Sequence, residues 1–162
     1  MQGAGEGSLA EVESVAPGQR LAWRGDFALA HLTTVPVAAL AHALLAHGRR
    51  RGEPSRIGLL YLIEPPAVGV PDAVARDAFV HLSRSSEPYY AASVLVVPRG
   101  FAAGAASAFV QLVRAASRGR LPLAIFSEID PALAWLRQSL PARSKLPSDD
   151  AIHAMIAELR AG

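Results

Sequence analysis

The sequence predicts an α/β domain built on a small mixed sheet, mainly parallel, with flanking helices and an extra C-terminal helix. Three observations carry this. Four short apolar stretches, 27–33, 57–63, 93–97 and 123–126, have the length and composition of strands. The segments between them are longer, and their apolar residues recur at helical spacing. Of 162 residues, 51 % are hydrophobic and 19 % charged. That balance supports one sizeable core and excludes a disordered tail or a coiled coil. Strands alternating with helices through short loops imply crossover connections and parallel pairing.

The elements follow in order. Residues 1–8 form a glycine-rich leader without periodicity, and the α/β domain spans 9–140. Glu11 to Ala16 reads as an edge strand and Pro17-Gly18 as a turn. Leu21 to Arg24 and Phe27 to Thr33 read as a hairpin around Gly25-Asp26. In the second strand Phe27, Leu29 and His31 share one face, and Ala28, Ala30 and Leu32 the other. A helix from Pro36 to His47 carries Val37, Leu40, Leu44 and Leu45, with Gly48 as its C-terminal stop. The strand Ile57 to Ile63 is apolar on both faces, the mark of a parallel strand covered on both sides. A helix from about Pro71 to Arg84 sets Val74, Ala78, Phe79 and Leu82 on one stripe. The strand Ser93 to Val97, a helix from about Phe101 to Ser117 and the strand Leu123 to Phe126 follow. Asp130-Pro131 is expected as N-cap and first residue of a helix carrying Leu133, Leu136 and Leu140. The expected sheet has four or five strands, with one or two N-terminal strands antiparallel.

Residues 141–162 form a linker and an amphipathic helix. Ser148 is a good N-cap, and Asp149 and Asp150 suit the positive end of the helix dipole. Ile152, Met155, Ile156 and Leu159 fall at i, i+3, i+4 and i+7. This stripe docks on its own domain, on a second copy, or on another partner, and is a candidate partner-binding surface together with Asp72.

Composition narrows the function. The absence of cysteine excludes disulfides, thiolate metal sites and a cysteine nucleophile. A formal charge of +2 gives no field for nucleic acid. The N-terminus lacks a basic region and an apolar run, so no signal peptide is expected and the cytoplasm is the expected compartment. Ala91 to Val113 has the hydropathy of a membrane span, but Pro98, Arg99 and Gly100 interrupt it, so no span is expected.

Catalytic motifs are missing. A phosphate-binding loop needs a lysine, and the sole lysine is Lys145 in the linker. No G-x-S-x-G nucleophile elbow occurs. His42 and His47 are five residues apart, roughly 140° around a helix, which does not suit a shared metal. His31, on the strand face with Phe27 and Leu29, reads as a partly buried core histidine. Asp72 and Asp77 read as capping and solvation at a helix start. Arg49, Arg50 and Arg51 suit the negative end of a helix dipole. No catalytic residue, cofactor or metal ligand is therefore assigned. The segment from Pro98 to Gly104 runs from a buried strand into a helix. Helix-start amides and an arginine can bind an anion, so Arg99, Gly100, Phe101 and Gly104 are the candidate ligand-binding residues.

The segment from Leu123 to Leu136 is a strand, an acidic turn and then Ala132-Leu133-Ala134-Trp135-Leu136. It resembles the C-terminus of STAS/SpoIIAA-like domains, and the runs Leu60 to Pro65 and Val96 to Phe101 look similar to bacterial relatives in that superfamily. The resemblance covers roughly Arg20 to Leu140. It implies a non-enzymatic regulatory module acting through protein contacts, with a homodimer or other protein as partner. Partner-switch members are phosphorylated on a serine at a helix start. The corresponding stretch here, Val70 to Val74, has Ala73 beside Asp72, so that modification is not expected. The alternative is a sensor for a small anion, nucleotide or lipid; a weaker one is an α/β enzyme.

Overall fold

The computed structural model describes residues 10–67, 69–97, 99, 111 and 120–162. Six strands form one sheet in sequential order. β1 (Glu11–Ala16), β2 (Gln19–Arg24) and β3 (Phe27–Leu32) are an antiparallel meander. β4 (Ile57–Ile63), β5 (Tyr90–Val96) and β6 (Leu123–Phe126) then add in parallel to β3. The sheet is therefore mixed rather than mainly parallel, with more strands than expected. The two-residue connections at Pro17-Gly18 and Gly25-Asp26 are too short for a crossover, so both hairpins must be antiparallel.

Helices cover both faces. α1 (Ala38–Arg51) and α2 (Ala73–Ser85) lie on one; α3 (Ile129–Ser139) and α4 (Asp149–Ala161) lie on the other. The alternation along the strands decides which core each residue joins. Ala28, Ala30, Leu59, Tyr61 and Leu95 face α1 and α2. Phe27, Leu29, Leu60, Leu62 and Val94 face α3 and α4. A sheet buried on both faces needs apolar residues at every position, which explains the continuous run of β4.

Several boundaries shift. α1 runs through Gly48 to Arg51, because Gly48 serves packing: a Cβ there would stand 2.9 Å from the Tyr90 ring. The helix stops instead at Gly52, whose φ of 73° is left-handed. Its entry is held by buried Gln19, whose Oε1 accepts from the Val37 amide. β5 begins three residues earlier than expected because Tyr90 is itself core, its hydroxyl donating to the Leu44 carbonyl at 2.6 Å. α3 is capped by Glu128, without a side-chain bond, so Asp130 and Pro131 fall inside its first turn rather than at its cap. Ser148 caps α4 by accepting from the Ala151 amide, as the sequence predicts. Within the described residues no helix is long and apolar enough to cross a membrane. The helix expected at about 101–117 lies outside the described residues.

One core residue makes stability depend on pH. His47 of α1 is 1 % exposed, and neither ring nitrogen has a hydrogen-bond partner. Burial, aided by the charges of Arg50 and Arg51, lowers its pKa from 6.5 to about 4. Between these values the unfolded chain binds a proton that the native state refuses. The contribution of His47 to stability should thus be full above pH 6.5 and fall as pH drops toward 4. Urea midpoints measured from pH 7 to 4.5 should show this loss, and His47→Leu should flatten it.

Candidate functional site

The carboxyl ends of parallel strands are where α/β sheets commonly bind ligands. Here β3 and β4 deliver His31 and Glu64 to that edge. His31 is the inward side chain next after Leu29, on the α4 face. Glu64 is the first residue beyond the apolar run of β4. The His31 Nε2 and the Glu64 Oε1 are 2.8 Å apart. Arg160, in the last turn of α4, reaches the same carboxylate with two bonds of 3.0 and 2.8 Å. Arg160 hydrogen bonding lowers the Glu64 pKa below its ordinary value; burial opposes this and His31 assists it. The same bond raises the pKa of Arg160.

Beside this cluster a cleft of about 450 Å³ opens, lined by Ser14, Arg20, His31, Thr33 and Arg160. Arg20 donates to the Leu159 carbonyl at 3.1 Å and has no carboxylate partner among the described residues. The cleft therefore brings together two guanidinium groups and an imidazole, and the Glu64 carboxylate beside it is already engaged twice. Thr33 turns its hydroxyl to the Gly18 carbonyl at 3.3 Å. Among the described residues no three of His, Cys, Asp and Glu gather closely enough to hold a metal ion.

The residues singled out from sequence lie elsewhere. Arg99 stands at the ends of β5 and β6, exposed, 3.6 Å from Glu128 and 3.4 Å from the Ser127 hydroxyl. Gly100, Phe101 and Gly104 lie outside the described residues. Asp72 is the N-cap of α2, accepting from the Ala75 amide at 2.8 Å. Ile152, Met155, Ile156 and Leu159 are 0–4 % exposed and pack against the chain's own sheet. They present no surface to a partner, because the sheet face opposite α1 and α2 needs its own cover. Sequence reasoning missed Glu64 and Arg160. A lone carboxylate ending a wholly apolar strand was a usable signal for the first. Nothing in the order of residues announces Arg160, which is 96 positions away from Glu64.

Fold and site together define a three-layer α/β domain with a charged cleft at the carboxyl edge of its sheet. No family model, curated protein or solved structure matches the chain.

Proposed function

We propose that this chain is a non-catalytic regulatory module that binds a small anion in the cleft beside His31 and Arg160 and acts through protein contacts. The observation that carries the reading is the charge pattern of the cleft. Arg20 and Arg160 both reach it, and the Glu64 carboxylate beside it is engaged by Arg160 and His31. A carboxylate so engaged is a poor base, which favours binding over chemistry. Kinship with the STAS/SpoIIAA-like superfamily and a cytoplasmic location belong to the same proposal. What supports the kinship is the order of elements, an antiparallel start followed by strand–helix units.

Calorimetric titration with small carboxylates and phosphates tests the binding. Saturable binding is expected, weakened about tenfold in Arg20→Met, the value of one charge-assisted hydrogen bond. Binding by none of these anions, or binding unchanged in Arg20→Met, overturns the reading. A second reading draws on the His31–Glu64 contact, since a carboxylate orienting an imidazole is half of a general-base arrangement. It predicts turnover of an ester or phosphoester that His31→Gln abolishes. Among the described residues no serine or threonine hydroxyl is bonded to His31, and for that reason the binding reading is preferred.

A further inference from the structure

A second cleft, of about 320 Å³, lies at the amino ends of the parallel strands, and Glu11, Trp23, Arg24, His47 and Arg50 line it. It is at the opposite end of the sheet from the cleft beside His31, and on the α1 face. His47 is its unusual member. A neutral imidazole offers one N–H and one lone pair, and both are buried without a partner. Buried polar groups in folded proteins are nearly always paired, so an unpaired one calls for an explanation. The His47 ring packs tilted against Trp23, with centroids 4.8 Å apart, and the Arg50 guanidinium stands 5.4 Å from the Trp23 ring. Arg50 is exposed, and a cation–π contact at the surface is weak enough for the side chain to swing away. Arg50 has no carboxylate partner among the described residues. The Glu11 carboxylate instead accepts from the Trp23 indole at 3.0 Å.

We infer that this cleft binds the phosphate group of a small phosphorylated molecule, with Arg50 on its oxygens and the His47 N–H as a further donor. A planar carboxylate spends both its oxygens on one guanidinium fork; a tetrahedral phosphate keeps a further oxygen for the imidazole. Binding requires Arg50 to turn from the Trp23 ring onto the anion, which uncovers the route to His47. The negative charge of the ligand then makes protonation of His47 easier.

The test follows the His47 ring nitrogens by NMR in ¹⁵N-labelled protein while inorganic phosphate is added at constant ionic strength. Chloride serves as the control. A saturable shift of the His47 signals is expected with phosphate and not with chloride. Arg50→Gln should weaken it about tenfold, the value of one charged hydrogen bond, and Arg49→Gln should leave it unchanged. Arg50 is on the surface, so its variant reads binding without risk to the fold. His47 signals that move no more with phosphate than with chloride would falsify the inference. Equal weakening by Arg49→Gln and Arg50→Gln would do the same, since it would mark diffuse screening. His31 signals report the other cleft separately, so this test stands or falls apart from the proposed function.

Discussion

Removing residues 142–162 should leave a chain that no longer unfolds cooperatively. The loss includes α4, whose Ile152, Met155, Ile156 and Leu159 are 0–4 % exposed against the sheet. Each such side chain contributes roughly 1.5–3 kcal/mol on burial, so the four together contribute roughly 6–12 kcal/mol. Whole domains are stable by only about 5–15 kcal/mol. The cut also uncovers β2 on that face and removes the Arg160 partner of Glu64. Urea titration followed by near- and far-ultraviolet circular dichroism checks this. The expected trace is shallow, with tertiary signal already lost in water. Met155→Ala is the milder companion, expected to cost about 2–5 kcal/mol while keeping a single transition. A truncated chain that keeps its midpoint but changes its oligomeric state would show that α4 serves another molecule instead.

Asp26→Ala should destabilise the chain by about 3 kcal/mol, the low end for leaving one side of a buried ion pair alone. Asp26 is 2 % exposed at the turn between β2 and β3. Its Oδ1 accepts from Arg51 at 2.9 Å and Arg56 at 3.0 Å, and its Oδ2 accepts from the Lys145 amide at 2.8 Å. The Asp26 carbonyl also accepts from the Gly58 amide. One carboxylate thus ties together the end of α1, the start of β4 and the segment leading to α4. The low end of the range applies because both arginines are about a third exposed and can turn to water. Burial raises the Asp26 pKa, but the Lys145 amide and the two arginines overcome it, and the net shift is downward from 3.8. A depressed carboxylate stabilises above its unfolded pKa. The gap between wild type and Asp26→Ala should therefore be full above pH 3.8 and close as pH falls through the lower folded value. A gap independent of pH would mean that the turn geometry, not the charge, is what Asp26 supplies.

Much of this molecule was legible in the order of its residues, because the signals involved are local. The period-2 faces of 27–32 and the unbroken apolar run of 57–63 identify strands covered on both sides. The Ser148 cap and the stripe from Ile152 to Leu159 identify α4 before any contact is known. Asp72 was readable as a cap for the same reason: its bond closes within three residues.

The site was not legible, since its parts meet only when distant segments fold together. Glu64 finds Arg160 across 96 positions and His31 across 33. Asp26 finds the Lys145 amide across 119. No periodicity encodes such pairs; they follow from which strand lies beside which and from where α4 ends on the sheet. The same holds for α4 itself. Sequence determined that it must bury one face, because an apolar stripe of that regularity cannot remain in water. Only the tertiary structure decided what covers it, since a sheet with α1 and α2 on one side still has a second apolar face to fill.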